Sequence, residues 1–150
     1  MIRKARMKDV DQIVHIVNLL AKDGSLLPVR ISKVVESIRD YFVCEMDDRV
    51  VGCARLKIYT RDLGEIRSVA VLPEYRGMDI GRKLVEKCIE EAEELGLNRV
   101  FVLTKVPQFF GKVGFKEVSK RELPHKVWED CIGCPKFHNC DEIAMILELQ

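Results

Sequence analysis

The chain has 150 residues, of which 47% are hydrophobic, and this combination suits one domain with a sizeable core. A formal net charge of +1 and the lack of a long basic run argue against a nucleic-acid binder. No apolar stretch approaches the roughly 20 residues that cross a bilayer. Residues 1–7 also lack the apolar core of a signal peptide. We therefore expect a cytoplasmic protein without nucleic-acid or membrane partners.

The spacing of apolar residues predicts strands and helices that alternate along the chain. Helices are expected to begin after Asp9 and to end near Gly24 and at Gly96, where glycine favours a stop. In chain order we predict a strand over 2–6, helices over 10–22 and 31–39, strands over 41–45, 50–58 and 64–72, a helix over 80–95, a strand over 99–103, a helix over 107–113, a strand from 115 and a strand over 143–149.

The tight acidic turn over residues 46–49 indicates a hairpin between the strands on either side of it. Elsewhere strands and helices alternate, which is typical of parallel connections. Together these features predict a mixed α/β sheet in a single domain, and the run over 143–149 is expected to close that sheet.

One part of the chain combines an apolar strand, a turn with two glycines and an amphipathic helix. Such a turn leaves the first backbone N–H groups of the helix unpaired, at the positive end of the helix dipole. Gly77 and Gly81 let a ligand approach the main chain, and Arg76, Arg82 and Lys83 add positive charge. This arrangement predicts a site for a phosphate or pyrophosphate.

Two familiar phosphate loops do not fit the spacing. A Walker loop needs Gly-Lys-Ser/Thr, but Gly81 is followed by Arg82, Lys83 and Leu84. The dinucleotide fingerprint needs three glycines near an N-terminal strand, whereas this turn has two glycines and lies in the middle of the chain. The pattern Arg76-x-x-x-x-Gly81 instead resembles the acetyl-coenzyme A loop of the GNAT N-acetyltransferases, although Asp79 stands where that loop has its first glycine.

The segment from Val106 to Phe115 is similar to a second GNAT feature, the helix that completes the coenzyme A side of that fold. Pro107 would start the helix, and Phe109 would pack on the pantetheine arm. Phe110 occupies the place of a tyrosine that protonates the leaving thiolate in many relatives. The resemblance implies contacts with acetyl-CoA by Val69, Ala70, Val71, Arg76, Gly77, Met78, Asp79, Ile80, Gly81, Arg82, Phe109 and Phe110.

Within this family the chain resembles the short N-acetylglutamate synthases that lack an amino-acid kinase domain. The likeness is carried by residues 64–71, 101–104, 109–110 and 122–131, and it covers nearly the whole chain. It implies one GNAT domain over residues 1–150, with a Cys/His-containing tail over 124–141. It also implies acetyl transfer from acetyl-CoA to the α-amine of an amino acid, L-glutamate above all, as a step in arginine biosynthesis.

Acetyl transfer to an amine needs a base, a polarised carbonyl and a proton for the leaving thiolate. The likeness implies that Glu65 is the base; the alternative is a surface carboxylate paired with Arg67 on the same strand face. A backbone N–H near Val69 would polarise the carbonyl. Thr104 either relays a proton to the thiolate or simply ends a strand.

Glutamate has two carboxylates, so its pocket should contain arginines that grip them. Arg67 and Arg30 are the candidates, although the likeness places an arginine at position 29, which is Val29 here.

Asp79 in the phosphate loop has two possible roles: its carboxylate either repels the pyrophosphate or turns back to cap the helix. We expect a small-molecule substrate, and the sequence is compatible with either a monomer or a homodimer.

Cys131, Cys134, His138 and Cys140 form a separate constellation near the end of the chain. Three thiolates and one imidazole would suit a structural zinc ion, and reduced thiols are the alternative, which the single Cys-x-x-Cys favours. The other cysteines fall within apolar runs and are predicted to be core residues; they are Cys44, Cys53 and Cys88.

Two other functions fit the same residues. The enzyme could acetylate another small amine or a protein amine. Alternatively, the chain could be a coenzyme A-binding or metal-binding regulatory module without catalysis, which the departures at Asp79 and Phe110 would favour.

Overall fold

The structure is a computed structural model that describes residues 1–24, 26–124 and 142–149. Within that part, the chain forms seven strands and four α-helices, joined by short 3₁₀ turns. The strands are β1 (Ile2–Lys4), β2 (Tyr41–Met46), β3 (Arg49–Ile58), β4 (Leu63–Val71), β5 (Arg99–Thr104), β6 (Lys116–Val118) and β7 (Ile143–Glu148). The helices are α1 (Val10–Ala21), α2 (Ile31–Glu36), α3 (Ile80–Leu95) and α4 (Pro107–Val113).

The strands make one mixed sheet in the order β1-β2-β3-β4-β5-β7-β6, which confirms the predicted fold class. The strands β4 and β5 are parallel, with Glu65 opposite Phe101, whereas β1–β2, β2–β3, β5–β7 and β6–β7 are antiparallel. The last strand was expected to close the sheet, but β7 lies between β5 and β6, so the edge belongs to β6.

The hairpin of β2 and β3 forms as predicted. Asp47 and Asp48 link the strands with φ of 53° and 60°, the left-handed conformation that a tight hairpin turn requires of both residues. Aspartate tolerates this conformation better than most residues.

One compact unit comprises Met1–Lys57 and Ile66–Glu91. In it α1 packs on α2 and buries Ile13, Ile16 and Val17 completely, as the apolar spacing predicted. Cys44, Cys53 and Cys88 are buried free thiols, which confirms that they are core residues. Burial raises the pKa of Cys53 and of Cys88 to about 12.

The other compact unit comprises Ile58–Glu65 and Ala92–Gln150. Its core includes aromatic and aliphatic side chains from β4, β5, β7 and the turn before β4. The buried members are Tyr59, Leu63, Phe101, Leu123, Ala144 and Ile146.

The predicted helix over 31–39 is wrong beyond Glu36. Ser37 leaves the helical conformation, and its hydroxyl donates to the carbonyl of Lys33. A 3₁₀ turn, Ile38–Asp40, then leads into β2. A serine hydroxyl that bonds back to the carbonyl four residues earlier destabilises and bends a helix, which favours an end at this position.

The bounds of α3 match the prediction, and Gly96 ends the helix with φ of 84°. Leu95 was expected on its buried face but is 59% exposed, because it is the last residue before that stop. In the described residues, no helix has the length and apolar character needed to cross a membrane.

Candidate functional site

The start of α3 offers a row of backbone donors. In the described part of the chain, the N–H groups of residues 77–82 donate to no backbone carbonyl. The first N–H that does so is that of Lys83, 3.2 Å from the Asp79 oxygen. Gly77 lies in the left-handed region with φ of 86°, and a Cβ there would meet nothing within 4 Å. The loop therefore presents open donors at the positive end of a 16-residue helix.

Asp79 adopts the backbone conformation of a glycine. Its φ is 66°, in the left-handed region. Its side chain does not cap the helix, as one alternative expected, because Oδ2 accepts hydrogen bonds from Nε (2.8 Å) and Nη2 of Arg82. These bonds hold the pKa of Asp79 below its ordinary value.

Arg82 is held on its other side by Glu86, whose Oε2 lies 2.8 Å from Nη1. Its guanidinium is therefore shared by two carboxylates along the first turns of α3. Arg76 and Met78 are exposed beside this pair, while Ile80 is buried and anchors the helix.

Glu65 is buried in β4, with 5% of its surface exposed, so the alternative of a surface carboxylate is wrong. The hydroxyl of Tyr59 donates to its Oε1 at 3.0 Å. The Tyr59 ring lies 5.6 Å from that of Phe101, the β5 residue that pairs with Glu65. The carboxylate is thus fixed by a buried donor in an aromatic environment.

Sequence reasoning did not find Tyr59. A signal was available, because Tyr59 comes six residues before the candidate base, with a tight turn between them, and such a turn brings the two side chains close together. Apolar periodicity does not detect such a pair.

Thr104 is buried at the end of β5, and its Oγ1 accepts a hydrogen bond from the N–H of Val106 at 2.9 Å. This bond uses an oxygen lone pair and leaves the hydroxyl proton available for donation. Thr104 therefore ends its strand, as one prediction had it. It also keeps a hydroxyl proton, which the other prediction, a proton relay to the thiolate, requires.

Phe109 and Phe110 lie on α4, which has the bounds that were predicted. Phe110 is buried edge-on against Phe109 and Phe115, with ring centroids 4.9 and 5.5 Å apart. Phe110 thus belongs to an aromatic cluster that orients Phe109, which is only partly buried.

An irregularity in β4 lies beside the residues predicted to contact the acetyl group. Ser68 has φ of 55°, which interrupts the extended backbone just before Val69, and Ala70 and Val71 follow. Its carbonyl accepts a hydrogen bond from the Cys53 thiol at 3.4 Å.

The two candidate arginines for the substrate lie in different settings. Arg67 is half-buried on β4. Arg30 is an exposed residue whose carbonyl begins α2, accepting from Lys33 and Val34. Val29, which precedes it, exchanges two hydrogen bonds with the Asn18 side chain, at 2.9 and 3.1 Å, and this fixes the loop on α1.

The candidate zinc ligands Cys131, Cys134, His138 and Cys140 lie outside the described residues. Across residues 1–24, 26–124 and 142–149, no cluster of three or more His, Cys, Asp or Glu side chains could hold a metal ion.

Each compact unit contains part of the predicted site. Arg67, the 69–71 segment and the 76–82 loop belong to the unit that includes Ile66–Glu91. Glu65, Thr104 and the two phenylalanines of α4 belong to the other unit.

Comparison with known proteins adds a family match and several close relatives. Residues 23–115 match the family described as Acetyltransferase (GNAT) family. An uncharacterised N-acetyltransferase of Chlorobaculum tepidum is 45% identical over 99% of this chain and 96% of its own length. An amino-acid acetyltransferase of Mycobacterium tuberculosis is 36% identical over 86% of this chain and 75% of its own length.

Solved structures agree with these relatives. A Mycobacterium tuberculosis protein in complex with CoA superposes with a TM-score of 0.85 at 33% identity, over 100% of this chain and 99% of the other. N-acetylglutamate synthase from Neisseria gonorrhoeae, complexed with coenzyme A and N-acetyl-glutamate, gives 0.91 at 27% identity. That alignment covers 100% of this chain and 35% of the longer one.

Proposed function

Because this chain belongs to the GNAT family and is an acetyltransferase, we propose that it transfers the acetyl group of acetyl-CoA to the α-amine of L-glutamate. The product would be N-acetylglutamate, made in the cytoplasm for arginine biosynthesis. Relatives named amino-acid acetyltransferase support an amino-acid acceptor. A structural neighbour that holds coenzyme A and N-acetyl-glutamate supports glutamate in particular.

The observation that carries the proposal is the row of open N–H groups over residues 77–82 before α3. These donors and the helix dipole suit the pyrophosphate of coenzyme A. Gly77 and Gly81 allow the diphosphate to approach the backbone, and Arg76 supplies an exposed positive charge. Phe109 would lie along the pantetheine arm.

Glu65 is the proposed base for the acceptor amine. The α-amine is mostly protonated at neutral pH, so its proton must leave, directly or through one water, before the nitrogen can attack the acetyl carbon. The new C–N bond then forms as the C–S bond breaks. The N–H of Val69, next to the irregular Ser68 backbone, would stabilise the developing negative charge on the carbonyl oxygen.

The leaving thiolate needs a proton, and Phe110 cannot supply one. Thr104 is the proposed donor, because its oxygen accepts from Val106 and the hydroxyl still carries a proton that it can donate. Arg67 and Arg30 are the proposed partners of the two carboxylates of glutamate.

A thiol-release assay with acetyl-CoA and each of the twenty amino acids tests this function. We expect L-glutamate to give the highest kcat/KM. A clear preference for another amino acid would replace the proposed acceptor, and turnover of none of them would direct the search to other amines.

The role of Glu65 is tested with Glu65→Gln. We expect kcat to fall by about 100-fold or more, the usual contribution of a general base, with coenzyme A affinity by calorimetry unchanged within about twofold. Glu94→Gln on the exposed face of α3 is the control and should retain the parent rate. Full turnover by Glu65→Gln would contradict its assignment as the base.

A further inference from the structure

We propose that Tyr59 is a positioning residue for Glu65: its hydroxyl holds the carboxylate in its charged form and in the orientation that accepts the proton of the substrate. The inference rests on the proposed function, because it acts through Glu65. Its starting point is the 3.0 Å hydrogen bond from the Tyr59 hydroxyl to Oε1 of Glu65, between two residues that are each 5% exposed.

The backbone around Tyr59 fixes where this hydroxyl points. The N–H groups of Tyr59 and Thr60 both donate to the Leu63 carbonyl, at 3.0 and 3.2 Å. The Thr60 hydroxyl oxygen in turn accepts from the N–H groups of Asp62 and Leu63. A turn closed by these four bonds fixes the backbone position from which the Tyr59 ring extends.

The Tyr59 ring is also held from the side. It packs against Phe101 at 5.6 Å with an interplanar angle of 44°, within a core that includes Leu63 and Leu123. The ring cannot leave this core without exposing apolar surface, so the phenol stays directed at the carboxylate. If this position served only for packing, a phenylalanine would fill the core equally well.

A buried carboxylate prefers to be protonated unless donors stabilise its charge. Tyr59 is a titratable residue that donates a hydrogen bond to Glu65. On β5 the residue opposite Glu65 is the uncharged Phe101, and Arg67 follows Glu65 two residues along β4. A hydrogen bond to the charged form extends the pH range in which Glu65 can act as a base. Without this hydrogen bond, Glu65 should therefore begin to act as a base only at a higher pH.

The test is the pH profile of kcat/KM for Tyr59→Phe, measured with L-glutamate or with the amino acid that the panel prefers. We expect the acidic limb to move up by about one pH unit, as the loss of a charge-assisted hydrogen bond implies. Tyr75→Phe, which removes a phenol that bonds Asp47 on the surface, should leave the limb in place. If the Tyr59→Phe variant is folded and the acidic limb of its kcat/KM profile stays at the parent pH, the inference is overturned.

A double-mutant cycle separates positioning from a general loss of structure. If Tyr59 acts through Glu65, Tyr59→Phe lowers kcat in the parent but has no further effect in Glu65→Gln. Additive losses in the two backgrounds overturn the inference. If Glu65→Gln keeps the parent kcat, the proposed base fails and the inference fails with it, whereas a Glu65→Gln defect with an additive Tyr59→Phe defect overturns the positioning role alone.

Discussion

Asp79 shows how one residue can meet the geometry of a phosphate loop and oppose its charge. The left-handed φ of 66° is the conformation that glycine adopts freely, and aspartate is one of the few other residues that tolerate it. Its carboxylate is neutralised in part by Arg82, which is thereby drawn toward Asp79 and Glu86. If the loop binds a diphosphate as proposed, both the negative charge of Asp79 and the engagement of Arg82 by carboxylates would weaken that binding.

We therefore expect Asp79→Gly to bind acetyl-CoA about two- to fivefold more tightly, by isothermal calorimetry, with a gain that shrinks as salt is added. Asp48→Gly is the matched control, since it removes an exposed aspartate with φ of 60° from the β2–β3 turn. The control should bind acetyl-CoA like the parent. Weaker binding by Asp79→Gly would refute the repulsion argument.

Two glycines, one inside α4 and one directly after it, have opposite roles. Gly114 ends the helix with φ of 118°, and the N–H of Phe115 reaches back to the carbonyl of Phe110 at 3.1 Å. A Cβ on Gly114 would also lie 3.4 Å from Leu147. Gly111 lies inside the helix, where a Cβ would meet nothing within 4 Å.

These settings predict stability changes of opposite sign. Gly114→Ala should lower the free energy of unfolding by about 1–2 kcal/mol, because alanine is strained at positive φ. Gly111→Ala should raise it by about 0.5–1 kcal/mol through the better helix propensity of alanine. Urea denaturation of both variants measures the difference. Equal effects would mean that the cap does not control the end of α4.

An ion pair holds β1 to the elements that follow it. The guanidinium of Arg3 bonds both oxygens of Asp9, at 2.8 and 3.0 Å, and also Glu45 on β2. Asp9 is only 3% exposed. Burial acts to raise its pKa, but the bonds from Arg3 and from the Arg6 N–H outweigh burial and hold the pKa below 3.8.

Because the pKa is depressed in the folded state, the stabilisation from Asp9 is present above pH 3.8 and is lost as the pH falls through the folded value. At pH 7, Asp9→Asn should lower the free energy of unfolding by about 2–3 kcal/mol in urea titrations. The difference in free energy of unfolding between Asp9→Asn and the parent should shrink as the pH falls toward 3. Asp11→Asn, at an exposed position of α1, should change it by less than about 0.5 kcal/mol. A gap that stays constant with pH would contradict this account.

Across the whole molecule, local signals predicted most of the fold. Proline at the start and glycine after the end gave α4 its bounds, and Gly96 gave those of α3. The paired aspartates identified the β2–β3 hairpin. Each of these features depends on residues within a few positions of one another.

Features that depend on distant residues were not predictable in the same way. The insertion of β7 between β5 and β6 is a matter of strand order, on which apolar periodicity carries no information. The burial of Glu65 and its bond from Tyr59 depend on how a turn closes. The phosphate site around Arg76 and Gly81 was predicted from the local pattern of strand, turn and helix, and the family likeness added acetyl-CoA as the ligand. The roles of these residues remain predictions.

Binding of the cofactor should be visible in the stability of the whole protein. Acetyl-CoA at about 100 times its Kd adds about 2.7 kcal/mol to the folded state. For a chain of this length, that raises Tm by about 5–10 °C in scanning calorimetry. Acetyl-pantetheine lacks the diphosphate and should raise Tm less at equal concentration. Equal shifts for both compounds would argue against the loop at residues 77–82 as the main source of affinity.

The place of β7 in the sheet has a consequence for biosynthesis. All six residues of β5 pair with β7, from Arg99 opposite Glu148 to Thr104 opposite Ile143. A nascent chain on the ribosome therefore carries an unpaired β5 edge until residues 143–148 have left the exit tunnel. Exposed edges of this kind invite aggregation, so this interval is when a chaperone would most help the chain.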